Sequence, residues 1–218
     1  GSTSGIGLGM AIALAKQGVN IMVNGFGEKD EAIAKIKACG VEVDYHGADM
    51  SKPAEIEDLI KQTEKRFGSL DILINNAGNA HGLDPIQTGS LDDWDAMIDG
   101  NIKGLLYVSK AIIPKMTARK SGHIINIGST AAKEVYPNGN VYCATKHAVD
   151  ALNQGMRIDL NSFGIRVGAI HPGMVSTEFS SIRFKGDEEK AHNVYKGFTP
   201  LYAEDIADII HFVVSRPY

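Results

Sequence analysis

The chain has 218 residues, of which 44% are hydrophobic and 22% are charged, and its formal net charge is −4. This composition supports one sizeable core, so we expect a single domain over residues 1–218. The lack of basic runs and of long apolar stretches argues against nucleic-acid and membrane partners, and two distant cysteines with seven scattered histidines predict a reducing, cytoplasmic setting without a metal site.

Short apolar runs alternate with helical patterns along the whole chain. Nearly continuous apolar strands separated by helices are typical of a parallel sheet covered on both faces, which predicts an α/β fold with a doubly wound sheet. The polar segment 177–199 departs from this pattern and is predicted to be a loop or lid. In chain order the predictions are helix 8–16, strand 20–24, helix 28–38, strand 41–46, a helix capped at Ser51 and ending near Gly68, strand 70–75, one or two helices over 91–119, strand 123–127, helix 141–163, strand 165–170 and helix 204–215.

The chain opens on a glycine-rich stretch, GSTSGIGLGM, directly before the first predicted helix. Gly1, Gly5 and Gly7 would let the backbone approach a pyrophosphate, and the helix N-terminus supplies N–H groups and a partial positive charge. A second small-residue stretch, NNAG at 75–78, follows an apolar strand and leaves room for a ligand in the crevice there. The glycine-rich stretch alone is equally compatible with an ordinary turn, and NNAG alone is more typical of an ordinary strand-ending turn.

Tyr142 and Lys146 are spaced at i and i+4, which places them on one helix face. An ammonium group beside a phenol favours the phenolate, so we expect a lowered pKa for Tyr142 and proton exchange nearer neutral pH. Ser129 ends a predicted strand 13 residues earlier, and its hydroxyl would reach a substrate oxygen beside the tyrosine. Asn101, in a helical region, would complete a polar relay. A lone pair of this kind is also typical of an ordinary surface contact.

These motifs together resemble the short-chain dehydrogenase/reductase family. The matching features are GSTSGIG, Asp49, NNAG, Asn101, Ser129, YCATK and PGMVST, which follow the family's order and cover essentially the whole chain. The resemblance implies a Rossmann-like fold and an NAD(P)-dependent oxidoreductase that acts on CH–OH groups.

The resemblance also implies a role for each matching residue. Tyr142 would be the general acid or base, Lys146 would lower its pKa and hold the nicotinamide ribose, Ser129 would orient the carbonyl, and Asn101 would hold a water. The cofactor-binding residues implied are Gly1, Thr3, Gly5, Ile6, Gly7, Phe26, Asp49, Met50, Asn75, Ala77, Gly78, Tyr142, Lys146, Pro172, Gly173, Val175 and Thr177.

The choice between NAD and NADP depends on the end of the second strand of the family fold, here Asn24 in NGFGE. Neither an acid for the ribose hydroxyls nor an arginine for a 2′-phosphate stands there. Glu28 would repel a 2′-phosphate, whereas Lys29 would attract one. From these residues we expect a preference for NAD over NADP.

The expected substrate is a small 3-hydroxy acid or 3-oxo acid. The first third of the chain resembles D-3-hydroxybutyrate dehydrogenases, which use NAD, and the remainder resembles the 3-hydroxy acid (serine) dehydrogenases, which use NADP. Arg183, with Lys185, is a candidate for binding the substrate carboxylate, although the same stretch reads equally well as a solvated loop. The alternatives are a 3-oxoacyl thioester reductase and a non-catalytic dinucleotide-binding fragment. The resemblance also implies a homodimer or homotetramer.

The resemblance places one strand before Gly1 and one after Tyr218. We expect the first of these between the strands at 41–46 and 70–75, where its loss would leave buried backbone groups unpaired at about 1–3 kcal/mol each. These 218 residues are therefore expected to be a fragment of the working protein.

Overall fold

Strands and helices alternate throughout residues 1–217, the part of the chain that the computed structural model describes. The strands are β1 (Ile21–Asn24), β2 (Val43–His46), β3 (Ile72–Asn75), β4 (Gly122–Ile127) and β5 (Ile165–Ile170). The helices are α1 (Gly5–Ala15), α2 (Asp30–Lys37), α3 (Pro53–Phe67), α4 (Leu91–Ile98), α5 (Gly104–Arg119), α6 (Asn140–Leu160), α7 (Phe179–Arg183), α8 (Glu188–Asn193) and α9 (Ala203–Ser215). The predicted α/β fold is confirmed.

All strand pairs in the described residues are parallel. β1 pairs with β2, while β4 lies between β3 and β5 in a second sheet. An apolar slot separates the two sheets, and β1 and β3 line it. The prediction that the strand at 41–46 borders this gap was wrong, because β2 pairs with the outer side of β1.

The first residues of the chain cross this slot at the carboxyl ends of the strands. Ser2 donates its backbone N–H to the carbonyl oxygen of Asn24 at 2.6 Å, and its hydroxyl accepts from the Asn24 N–H at 2.9 Å. The Asn76 amide donates to the carbonyl oxygen of Gly1. The glycine loop is therefore attached to the ends of both β1 and β3.

β4 shows why the central strands read as continuous apolar runs. Ile124 packs in a core cluster with side chains of α3 and α5, such as Ile112. Its neighbour Ile125 belongs to a cluster on the opposite face with Met10 of α1 and Ile206 of α9. Successive strand side chains point to opposite faces, so a sheet with helices on both sides buries both sets.

Two segments differ in detail from the predictions. The predicted helical region 91–119 is α4 and α5, joined by a π-helical turn at Asp99–Lys103. The predicted lid 177–199 contains the short helices α7 and α8. Over residues 1–217, no helix is long and apolar enough to cross a membrane.

Candidate active site

A cleft opens at the carboxyl ends of β4 and β5, beside the N-terminus of α1. Ligand sites in open parallel sheets occur at this edge, because the loops that follow the strands gather there. Sequence motifs far apart in the chain meet in its walls. The lining residues include Gly1, Gly5, Ile6, Gly7, Ala77, Gly78, Ser129, Tyr142, Lys146, Pro172, Gly173, Val175 and Thr177.

The glycine loop leaves an open backbone cradle at the start of α1. Gly5 has a φ of +50°, a conformation that L side chains rarely adopt. A Cβ atom on Gly7 would overlap the carbonyl oxygen of Gly1, so only glycine fits there. The Ser4 side chain does not cap the helix, which leaves the first-turn N–H groups without a side-chain acceptor. This arrangement fits the pyrophosphate of a dinucleotide.

Tyr142 lies near the start of α6, close to Ser129, which follows β4. The Ser129 Oγ accepts a hydrogen bond from the Ala131 N–H at 3.1 Å. Burial raises the pKa of Tyr142 to about 12, and the neighbouring Ser129 hydroxyl opposes this rise only in part. The predicted lowering of this pKa was wrong, because desolvation outweighs the Ser129 hydrogen bond and the charge of Arg183. The phenol therefore carries its proton at neutral pH.

Lys146 lies one helical turn after Tyr142 and is buried. Its Nζ donates to the carbonyl oxygen of Ile127 at 3.1 Å and lies 5.9 Å from the centroid of the Tyr142 ring. Burial lowers the pKa of Lys146 to about 8. The ammonium group is therefore mostly charged at neutral pH. It is close enough to the Tyr142 phenol to interact with it electrostatically.

Asn101 lies in the π-helical turn and is fully enclosed by protein. Its Oδ1 accepts from the backbone N–H of Asn79 at 2.7 Å, and its Nδ2 donates to the Asn79 carbonyl oxygen at 2.8 Å. Nδ2 also donates to the Thr145 hydroxyl, which in turn donates to the Tyr142 carbonyl oxygen at 2.8 Å. Asn101 thus connects the loop after β3 to α6, and a water-holding role for it stays a prediction.

Arg183, at the end of α7, reaches the same region. Its Nε donates to the Gly82 carbonyl oxygen at 3.0 Å, and its Nη1 donates to the Tyr136 hydroxyl at 2.9 Å. The guanidinium carbon lies 5.4 Å from the centroid of the Tyr142 ring. Lys185, in contrast, forms an ion pair with Asp93 at 2.9 Å. Of the two candidates for a substrate carboxylate, Arg183 is therefore the one beside the reactive tyrosine.

Five of the predicted cofactor residues lie outside the cleft walls. Thr3 donates its hydroxyl to the Phe26 carbonyl oxygen at 3.0 Å, and the Phe26 side chain is exposed. Asp49 accepts from Ser51. Met50 and Asn75 border the slot between the sheets instead. Cofactor contacts at these five positions stay predictions.

Several residues of the site were not predicted from the sequence. Ser4 and Asn76 line the cleft, and both lie inside motifs in which only neighbouring residues were predicted. Thr145 lies inside YCATK, but its contact with Asn101 spans 44 residues. Phe179 and Ile182 come from α7, where no motif marks them. Among residues 1–217, no group of three His, Cys, Asp or Glu side chains is placed to hold a metal ion.

A family model described as "short chain dehydrogenase" matches residues 1–188. The chain is 41% identical to an NADP-dependent 3-hydroxy acid dehydrogenase of Salmonella typhi, over all of this chain and 88% of that protein. It is 38% identical to a serine 3-dehydrogenase of Rhizobium radiobacter, over all of this chain and 86% of that protein.

The chain is also similar to solved structures of dehydrogenases and reductases. The closed form of serine dehydrogenase complexed with NADP⁺ superposes with a TM-score of 0.91 and 38% identity, over all of this chain and 88% of that one. Levodione reductase superposes with a TM-score of 0.87 and 25% identity, over 98% of this chain and 88% of that one.

Proposed function

Because the chain belongs to the short-chain dehydrogenase family, we propose that it transfers a hydride between NADP and a small 3-hydroxy acid or the corresponding 3-oxo acid. One observation carries this proposal. A protonated phenol (Tyr142) and a hydroxyl (Ser129) line one cleft beside a glycine loop that fits a dinucleotide, and a guanidinium (Arg183) lies against the Tyr142 ring from an adjoining pocket. The first two suit a carbonyl oxygen, and the third suits a carboxylate.

The proposed steps for carbonyl reduction use the residues as they lie. When bound in the cleft, the nicotinamide supplies the hydride. The Ser129 hydroxyl holds the carbonyl oxygen, and the Tyr142 hydroxyl donates its proton to that oxygen. Lys146, mostly charged below its pKa of about 8, stabilises the negative charge that develops on the phenol oxygen. In the reverse direction Tyr142 accepts the proton from the alcohol.

We propose NADP as the preferred cofactor, with support from the relatives. The relative at 41% identity is named an NADP-dependent 3-hydroxy acid dehydrogenase, and serine dehydrogenase was solved with NADP⁺. In this chain β1 ends at Asn24, whose amide donates to the carbonyl oxygens of His46 and Ala48, so no carboxylate there repels a 2′-phosphate. These observations favour NADP over the NAD expected from Glu28.

The contacts of Arg183 support a 3-oxo or 3-hydroxy acid as the substrate. Among residues 1–217 it uses two of its five N–H donors on protein acceptors, which leaves donors for a carboxylate. The Tyr136 hydroxyl accepts from Arg183. A guanidinium and a hydroxyl beside the reactive phenol suit a substrate whose carboxylate lies a short distance from its carbonyl.

The test follows reduced-nicotinamide absorbance with NADPH and NADH in parallel. The substrates are malonic semialdehyde, acetoacetate and a 3-oxoacyl thioester. Turnover of the acids with NADPH that disappears in Tyr142→Phe supports the proposal. Faster turnover of the thioester would support the reductase alternative. If the wild type binds NADPH but turns over no substrate, the non-catalytic alternative replaces the proposal.

Family membership also supports proposals on location, domain organisation and assembly. We propose a cytoplasmic, single-domain enzyme that assembles as a homodimer or homotetramer. Large apolar side chains are exposed on α4, α5 and α9, including Leu91, Leu106 and Phe212, which supports assembly. Light scattering of the active enzyme that gives a monomer mass would contradict the proposed assembly.

A further inference from the structure

His171 occupies a position that the catalytic residues do not explain. It follows the last residue of β5, and its imidazole lies between the Ser129 segment and α6. Its Nδ1 is 3.2 Å from the carbonyl oxygen of Ser129, and its Nε2 is 3.2 Å from Oδ1 of Asp150. Asp150 belongs to α6, the helix that also carries Tyr142 and Lys146. The ring therefore bridges the elements that hold the two groups proposed to act on the carbonyl.

Both partners of the ring accept hydrogen bonds and cannot donate them. A backbone carbonyl has no proton, and the hydrogen bond from Lys133 holds the pKa of Asp150 below its usual range, so its carboxyl is ionised at neutral pH. An imidazole N–H donates to acceptors of this kind, so the ring is the group that supplies the donor in this bridge.

We propose that His171 is a positioning residue, which fixes the Ser129 main chain to α6 through Asp150 and so sets the Ser129 hydroxyl against the Tyr142 hydroxyl. This inference rests on the role proposed above for Ser129. The charged groups that face the ring are Asp150 from α6 and, across Asp150, Lys133 from the turn after Ser129.

The surrounding backbone is shaped to admit this ring. A Cβ atom on Gly128 would overlap Nδ1 of His171, so the residue before Ser129 has to be glycine for the ring to approach. Two backbone bonds keep the same segments together: Gly128 N–H to the Ile170 carbonyl oxygen at 2.7 Å, and Thr130 N–H to the Pro172 carbonyl oxygen at 2.9 Å. These hold the strand end, and the ring adds the connection to α6.

The main variant is His171→Ala, measured by steady-state reduction of the 3-oxo acid. We expect kcat to fall about tenfold, the effect of losing one or two charge-assisted hydrogen bonds, while KM for NADPH changes less than twofold. His171→Asn places an amide N–H where Nδ1 stands, so it keeps the bond to Ser129 but is too short to keep the bond to Asp150. We expect kcat to stay low in this variant, because the connection to α6 is missing.

Two results overturn the inference. One is a wild-type kcat in His171→Ala, and the other is a wild-type kcat in His171→Asn, which lacks the bond to Asp150. If His171→Ala fails to fold, the second comparison decides alone.

Ser129→Ala and Tyr142→Phe separate this inference from the proposed function. If both keep full turnover, the proposed roles of Ser129 and Tyr142 fail. If both lose turnover while His171→Ala keeps it, only the positioning role fails.

Discussion

Arg183 contacts both a loop carbonyl and a tyrosine, and its role is testable by one substitution. Arg183→Ala removes the proposed carboxylate partner, so we expect KM for a 3-oxo acid to rise about 10- to 100-fold, as for the loss of a charge-assisted bond of about 1.5–3 kcal/mol. The methyl ester of the same acid has no carboxylate, and its KM should change little. Initial rates for acid and ester measure both values.

Lys185→Ala is the matched control for Arg183. Lys185 lies two residues later and forms an exposed ion pair with Asp93, which contributes little to binding or stability. Its removal should leave KM for the acid near the wild-type value. Equal effects of the two substitutions would mean that the charge of the whole segment matters, and that Arg183 has no specific carboxylate contact.

Lys146 is a charged group in a buried position, so it should lower stability while it supports turnover. Burial lowers its pKa to about 8 from 10.5. We expect Lys146→Met to raise the free energy of unfolding by about 2 kcal/mol at neutral pH, because a shift of one pKa unit corresponds to about 1.4 kcal/mol. The same variant should lose most of its turnover. Urea unfolding and initial rates measure the two effects.

The stability gain expected of Lys146→Met should decrease as the pH rises. Below about pH 8 the lysine is charged in both the folded and the unfolded chain, and the penalty of burying the charge is complete. Between pH 8 and 10.5 the unfolded chain binds one proton more than the folded chain, so wild-type stability rises relative to the variant. A stability difference that grows over this range would contradict the assignment.

At the scale of elements, two glycines in different helices should respond oppositely to the same substitution. Gly155 lies within α6, and a Cβ there would have no atom within 4 Å. Gly155→Ala should therefore stabilise the protein by about 0.5–1 kcal/mol, the helix-propensity difference, with unchanged turnover. Gly7→Ala in α1 would meet the Gly1 carbonyl oxygen, a backbone atom that cannot move aside cheaply.

We expect Gly7→Ala to weaken NADPH binding at least tenfold, because the glycine loop has to shift away from the cleft. Fluorescence titration with NADPH and urea unfolding measure the two variants side by side. Unchanged NADPH affinity in Gly7→Ala would mean that the loop does not hold the cofactor. A destabilised Gly155→Ala would mean that α6 is packed more closely on that side than its open surroundings indicate.

The sequence predicted most elements because their signals are local. The apolar run at 123–127 predicted a strand buried on both faces, and Ile124 and Ile125 pack on opposite faces. The π-helical turn at Asp99–Lys103 has no such signal, since its residues are compatible with a regular helix. Asn101 is held there by Asn79, 22 residues earlier, and by Thr145, 44 residues later. A contact of that range is not encoded in the local pattern.

At the scale of the whole molecule, the sequence predicted parallel strands but placed one of them wrongly. Strand order depends on which strand edges meet, and the residues of one strand do not specify its neighbour. The same limit applies to Tyr142. Its spacing to Lys146 is visible in the sequence, whereas the desolvation that raises its pKa comes from surrounding elements such as α7. The contact between Arg183 and Tyr136 spans 47 residues and was likewise invisible.

The stability of the whole molecule towards acid should depend on His123, in β4. Its side chain is buried, its Nδ1 has no partner within residues 1–217, and it lies opposite Arg166 in the neighbouring strand. Burial, and then the charge of Arg166, lower the pKa of His123 to about 4 from 6.5. Between these values the unfolded chain binds one proton more than the folded chain, so its contribution to stability is complete above pH 6.5 and is lost as the pH falls towards 4.

His123→Val removes the titrating group and places a β-branched, apolar side chain, which suits a buried strand, at this position. We expect the wild type to lose about 1–2 kcal/mol more than the variant between pH 6.5 and 4, after allowance for screening by solvent near the ring. Urea unfolding of both proteins across this range measures the difference, and other acid-titrating groups cancel because both proteins share them. Parallel curves would show that His123 takes up its proton as readily in the folded chain as in the unfolded one, and that the loss of stability in acid has another source.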